Sequence, residues 1–275
     1  MARRLNKRDK WALNHEMERV HEPDRDAIVT GQGTYLRGEW GSKAFAENQP
    51  LTLELGCGQG LFSVELARRF PARNVLGVDV KSHRFHRGAS VAEKASLGNA
   101  AFLRTRIQWL NRFFAPNEVA EIWLTFSDPQ EGDKRGTKRL TSPYYLRLYM
   151  GFLRMGGRIH VKTDSADLHD RTLEHAAEVE MRVNLESRNV HGEREERFEP
   201  ELAESLGFIT AFEDRWIQEG RRIHYLQLEK VAEVESGALD EALRMLQGPA
   251  ERVKPRFPKG KGKTERVSWS PARLD

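Results

Sequence analysis

A chain of 275 residues, 39% apolar and 31% charged, has material for one sizeable buried core. No apolar run approaches the ~20 residues that span a bilayer, the basic opening Met1 to Arg8 lacks the apolar stretch of a signal peptide, and the single cysteine, Cys57, excludes a disulfide framework or a thiolate-rich metal site, so a reducing cytoplasm is the expected setting. The net charge is only +4, yet residues 1–19 carry six Lys/Arg against three Asp/Glu and residues 249–275 carry eight against three, which suits a polyanionic partner better than a membrane.

In chain order, 51–55 (Leu-Thr-Leu-Glu-Leu) is a short apolar run followed by glycines and predicts a buried strand. A helix is expected over 61–70, stopped by Pro71, then a second strand over 74–78 ending at Asp79, then a helix over 82–97 stopped by Gly98-Asn99. A third strand is expected over 100–105, a fourth over 119–126, and a long polar loop over 127–141. Ser142 and Pro143 fit the cap and first position of the next helix. Gly156-Gly157 precede a fifth strand at 158–162, and later strands are expected near 182–189 and 223–228. This alternation predicts an α/β fold, doubly wound around a mostly parallel seven-stranded sheet. The expected organisation is a basic extension at 1–40, one domain at 41–248, and a flexible basic tail at 249–275.

The segment Glu54-Leu55-Gly56-Cys57-Gly58-Gln59-Gly60 joins the first long strand to a helix. Glycines let a backbone turn tightly and approach a ligand, and this edge of an open α/β sheet is where nucleotide ligands bind. Asp79 ends the next strand, where a carboxylate can accept from both ribose hydroxyls. The spacing is G-x-G-x-G, and Leu61 stands where a dinucleotide fingerprint requires its third glycine. Glu54 would also repel a pyrophosphate, but it suits a ligand carrying an ammonium and a sulfonium. The loop, through Glu54, Gly56, Gly58 and Gly60, resembles the first motif of class I methyltransferases, whose Rossmann-like fold matches the predicted sheet. Cys57 fits a small spacer in this loop. An NAD-dependent dehydrogenase is the rival that the glycine spacing and Glu54 oppose.

The fourth strand ends in Thr125-Phe126-Ser127-Asp128-Pro129-Gln130, followed by Lys134-Arg135-Gly136-Thr137-Lys138-Arg139-Leu140. This stretch resembles the motif F-[SP]-D-P-W-P-K-K-R-H-x-K-R-R-L of bacterial tRNA (guanine-N7)-methyltransferases. His160-Val161-Lys162-Thr163-Asp164 looks like that family's [FH]-x-[KA]-T-D strand end, and Thr210-Ala211-Phe212-Glu213 like its T-x-[FY]-E motif. The resemblance spans roughly 45–230. It implies S-adenosylmethionine as donor, bound by Glu54 and Asp79, tRNA as partner, and 7-methylguanosine, in the variable loop, as product. It also implies that Asp128 is the central acid between donor and base, and that Asp164, Thr210, Phe212 and Glu213 hold the guanosine.

Three positions depart from the pattern. Gln130 replaces the tryptophan after Asp-Pro. Gly132 and Asp133 replace two lysines, leaving Lys134 or Arg135 to take the phosphate. Arg106 occupies the acidic donor-binding position after the third strand, where the backbone of 105–107 or Gln108 could serve the adenine. Methyl transfer to another acceptor such as rRNA, and a catalytically weak tRNA-binding homologue, stand as alternatives.

The chemistry agrees with the resemblance. Guanine N7 has an in-plane lone pair and no proton, so the site must align three atoms rather than supply a base. A carboxylate such as Asp128 can hold the N1–H and exocyclic amine and stabilise the growing positive charge; Asp164 or Glu213 could do the same. Amine methyltransferases carry [DNS]-P-P-[YFW] at this strand end, and Ser127-Asp128-Pro129-Gln130 lacks the second proline and the aromatic, which favours the ring nitrogen. Lys134, Arg135, Lys138 and Arg139 are expected to clamp tRNA phosphates. The histidines show no metal-ligand spacing, and no metal is expected.

Overall fold

Every residue of the strand Leu51–Leu55 is buried, as is every residue of Asn74–Asp79, the pattern of strands covered on both faces. The computed structural model describes residues 5–24 and 35–247, without the side chains of 133–135, 194–196 and 211. The tail expected at 249–275 lies outside the described residues.

Leu51–Leu55 and Asn74–Asp79 are β2 and β3 of an eight-stranded sheet. The others are β1 (Val20–His21), β4 (Ala100–Arg104), β5 (Val119–Thr125), β6 (Leu153–Thr163), β7 (Arg182–Ser187) and β8 (His224–Glu229). The order is β1-β4-β3-β2-β5-β6-β8-β7. β1 to β6 pair in parallel, and β8 is antiparallel to both β6 and β7. The order reverses between β2 and β5, so the switch point of the sheet lies there.

Helices cover both faces. On one side α3 (Leu61–Arg69) and α4 (Ser82–Lys94) bury Phe62, Val64, Phe85 and Ala89 against Phe102 and Trp123. On the other, Leu146 and Tyr149 of α5 (Pro143–Met150) and Ala176 of α6 (Ala166–Glu178) pack on Leu53, Ile122 and Ile159. Ser142 does cap α5 by position, but its hydroxyl donates to Thr137 O, 3.5 Å away, rather than accepting from the helix. Among the described residues no helix is long and apolar enough to cross a membrane.

The sequence pattern predicts seven strands, and the described residues form eight. The additional strand, β1, is two residues long and cannot carry an alternating pattern. It comes from the segment before residue 41 and follows helix α1 (Lys7–Asn14). Glu22 secures both, because Trp11 Nε1 and Arg104 Nη1 donate to its Oε2 at 2.7 and 3.2 Å. β5 stops at Thr125, one residue short of expectation, because Phe126 takes a left-handed φ of 52°.

Candidate active site

The carboxyl end of β2 turns through Gly56, Gly58 and Gly60, with φ of 78°, 55° and 71°. The first turn closes when the N–H groups of Gly56 and Cys57 donate to Val78 O at 2.8 and 3.0 Å. A Cβ on Gly60 would collide with the Phe102 ring, whereas one on Gly56 would meet nothing within 4 Å. The loop is therefore packed tightly on its inner side and open on its outer side.

Glu54, 2% exposed, lies beneath this loop. Its Oε2 accepts from Ser63 N at 2.9 Å and from Ser63 Oγ, and its Oε1 accepts from Thr125 Oγ1 at 2.8 Å. The carboxyl thus bridges α3 and β5 across the switch point. Burial pushes its pKa up to about 7, while the bonds from Ser63 and Thr125 oppose the shift and the charge of Asp79 adds to it. Burial, reinforced by Glu54 and Asp79, holds the Cys57 thiol well above its ordinary range, so it is a spacer rather than a nucleophile. At the end of β3, Asp79 accepts from Gly58 N at 3.0 Å and Lys81 N at 2.9 Å, with Arg84 Nη1 at 4.0 Å. Arg106 is exposed just beyond β4, its guanidinium 5.5 Å from the Trp109 ring.

Beyond β5 the backbone is strained. Phe126 and Gln130 both adopt positive φ, 52° and 49°, conformations that cost an ordinary residue ~1 kcal/mol or more. Between them, exposed Asp128 accepts from Gln130 N at 2.9 Å, and the Ser127 hydroxyl is buried with no hydrogen-bond partner among the described residues. Arg139 holds the turn in place. It is 2% exposed, and its Nε donates to Pro129 O at 2.9 Å. The phosphate contact expected of Arg139 would have to compete with these bonds, since its Nη2 also donates to Gly132 O at 3.5 Å. Lys138 is exposed; the side chains of Lys134 and Arg135 lie outside the described residues.

β6, paired with β5, ends beside this turn, and Asp164 just beyond it accepts from Arg221 Nη1 at 2.9 Å. Helix α9 (Ala211–Gln218) faces the same edge. Thr210 and Glu213 form its capping box, Thr210 Oγ1 accepting from Glu213 N at 3.2 Å and Glu213 returning the bond to Thr210 N at 3.4 Å. Glu213 has no exposed surface, and its Oε1 meets Lys162 Nζ at 2.6 Å and His191 Nε2 at 2.8 Å. The residue expected on the guanosine therefore also anchors the helix and pairs with Lys162. Phe212, 54% exposed, and Trp216, whose ring centroid is 4.9 Å from that of Phe126, form an aromatic face against Phe126, two residues before Asp128.

The sequence reading thus places Glu54, Asp79, Asp128, Asp164 and Phe212 at one edge of the sheet. It missed Ser63, Thr125, Lys162, Trp216 and Arg221. The capping-box spacing Thr210-x-x-Glu213 was a signal for an anchoring glutamate, and Lys162 within an apolar strand was a signal for a buried ion pair. Among the described residues no cluster of His, Cys, Asp or Glu could hold a metal ion.

Residues 48–226 match the model of a family described as putative methyltransferase. The chain is 36% identical to a tRNA (guanine-N(7)-)-methyltransferase of Christiangramia forsetii, over 82% of this chain and 97% of that protein. It is 42% identical to the protein of the same name from Porphyromonas gingivalis, over 70% of this chain and 77% of the relative. Among solved structures, the 16S rRNA methyltransferase KamB aligns with a TM-score of 0.49 at 20% identity, over 66% of this chain and 88% of its own.

Proposed function

The chain belongs to the tRNA (guanine-N7)-methyltransferase family, and on that premise we propose that it makes 7-methylguanosine in tRNA at the crevice between β2 and β5, with S-adenosylmethionine as methyl donor. The expected target is a variable-loop guanine, and the expected setting is the cytoplasm. The observation that carries this reading is the bridge made by Glu54, bonded at once to the helix after the glycine loop and to Thr125, three residues before Asp128. One buried carboxylate ties the donor cradle to the turn that presents the acid.

The residues fit the donor. The outer side of the loop is open at Gly56, and Glu54 and Asp79 offer carboxylates for an ammonium and for ribose hydroxyls. The Ser127 hydroxyl is buried without a partner and gains one when the crevice fills. When bound, S-adenosylmethionine supplies a methyl group on a positively charged sulfur.

The chain's own task is alignment and charge stabilisation. We assign Asp128 and Asp164 to the N1–H and amine edge of guanine, with Phe212 and Trp216 as the apolar wall that excludes water. Guanine N7 would form the new bond to the methyl carbon with its lone pair as the carbon–sulfur bond breaks and leaves its pair on sulfur; no proton leaves N7, so no general base is needed. The ring becomes cationic, and a fixed carboxylate nearby lowers the barrier because that charge exists only as the reaction proceeds.

The test is transfer of labelled methyl to unmodified tRNA followed by nucleoside analysis. Wild type should yield 7-methylguanosine, and Asp128→Asn should reduce the rate by on the order of 100-fold, the scale of losing one preorganised electrostatic contact. A protein that binds the donor yet leaves guanine unmethylated overturns the reading.

A further inference from the structure

Helix α1 is not a free arm. Its Asn14 has no exposed surface, and both ends of its amide are bonded to α4. Nδ2 donates to Ser82 O at 3.1 Å, and Oδ1 meets His86 Nδ1 at 2.7 Å. Positions i, i+3 and i+7 share one face of a helix, so docking through Asn14 also brings Lys10 and Lys7 over the start of α4. His83 lies within the field of these charges: burial, and after it the charges of Lys7, Lys81, Lys10 and Arg84, push its pKa down.

The patch continues to the mouth of the crevice. Arg84 Nη1 is 4.0 Å from Asp79, and Arg87 Nη1 donates to Gln59 of the glycine loop at 2.9 Å. Lys7, Lys81, Arg84 and Arg87 are exposed, and Lys10 is half-buried. Among the described residues no carboxylate pairs with Lys7, Lys10 or Lys81. The arrangement costs stability by itself: like charges repel, and those on the first turn of α4 oppose its dipole. A polyanion laid across the patch removes both costs.

We propose that the face built from Lys7 and Lys10 of α1 and Lys81, Arg84 and Arg87 at the start of α4 is a second phosphate-binding surface for tRNA, on the β3 side of the crevice and across the glycine loop from the turn of Asp128. The proposal rests on the functional reading above and adds the place where the body of the RNA lies. The substrate is held from two sides, by the loop carrying Lys138 and by the docked N-terminal helix. The base between them is presented to the switch point.

The test uses the full chain and the triple variant Lys7→Ala/Lys10→Ala/Lys81→Ala, which leaves Arg84 and Arg87 in place beside the glycine loop. Binding of unmodified tRNA is measured as a function of salt, alongside donor affinity by calorimetry and thermal melting. The expected result is a rise in the tRNA Kd on the order of 10- to 100-fold and a shallower salt dependence, by about 2 in log–log slope. Donor affinity should not change, because none of the three side chains bonds a residue of the glycine loop or Asp79, and the melting temperature should hold or rise slightly as like charges are removed. Unchanged tRNA affinity and slope, in a protein whose wild type methylates tRNA, overturn the proposal and leave the functional reading intact. So does a variant that keeps its tRNA affinity but loses binding to vesicles containing an acidic phospholipid. A wild type that neither binds nor methylates tRNA overturns the functional reading, and the proposal with it.

Discussion

Burial lifts the Glu54 carboxyl from 4.5 to about 7, so near neutral pH the donor-free fold holds it between two charge states. Its folded pKa lies above its unfolded value, which fixes the sign: the stabilisation is complete below about 4.5 and is lost as pH rises through about 7. A bound ammonium reverses the preference, since it favours the carboxylate. S-adenosylmethionine affinity should therefore rise between pH 6 and pH 8, and Glu54→Gln should bind more weakly with a flat profile. Calorimetry across that range checks this, and a wild-type profile as flat as the variant's would show that Glu54 does not face the donor. At this scale the sequence was most legible at the carboxyl ends of strands, where Glu54 is the last residue but one of β2 and Asp79 the last of β3. It was least legible where a charge is buried. Arg139 and Glu213 carry the charges of surface or ligand-binding residues; the capping-box spacing announces the anchoring of Glu213, but nothing in the neighbours of Arg139 announces that backbone carbonyls await it.

Elements follow the sequence closely where they are long. α3 and α4 begin at 61 and 82 as their patterns require, and β2 covers the expected 51–55. β6 was underestimated, because Gly156-Gly157 look like a stop; the strand instead runs through them from Leu153, with a register shift where β5 meets it between Val119 and Glu121. β1 was invisible because two residues carry no alternating pattern, and only the parallel pairing with β4 identifies the strand. The meeting of α4 with the glycine loop is another property of paired elements. A Cβ on Gly88 would stand 2.6 Å from Gly60 O and 2.8 Å from Gln59 O, and Gly88 N donates to Gln59 O at 2.9 Å. Gly88→Ala should therefore push the helix off the loop, costing about 1–3 kcal/mol of stability and weakening donor binding without altering any group that faces the donor. Urea unfolding combined with donor titration would detect both effects; a stable variant with normal donor affinity would show that the loop adjusts freely.

At the scale of the whole molecule, His21 and His160 show the largest downward shifts among the described histidines, and both are buried. Burial lowers His21 to about 4; burial, followed by the charges of Arg158 and Arg73, lowers His160 to about 3. Both folded values lie below the unfolded 6.5, so their stabilisation is present above that pH and is lost as pH falls through the folded values. Glu54 acts in the opposite direction over the same range, one group against two. The balance is a loss on the order of 2 kcal/mol between pH 7 and pH 4.5. The urea midpoint should fall accordingly, and Glu54→Gln should widen the gap; equal midpoints at the two pH values would contradict the account.

β8 lies between β6 and β7 in the sheet but follows both in the chain. A ribosome therefore delivers the two flanking strands before the one that joins them. Until Glu229 has emerged, β7 has no neighbour to pair with and β6 shows a bare edge, and only then can the sheet close. The last of the described strands to be synthesised completes the platform from which Asp164 projects, so a nascent chain that already holds Glu54, Asp79 and Asp128 still lacks the finished edge opposite them.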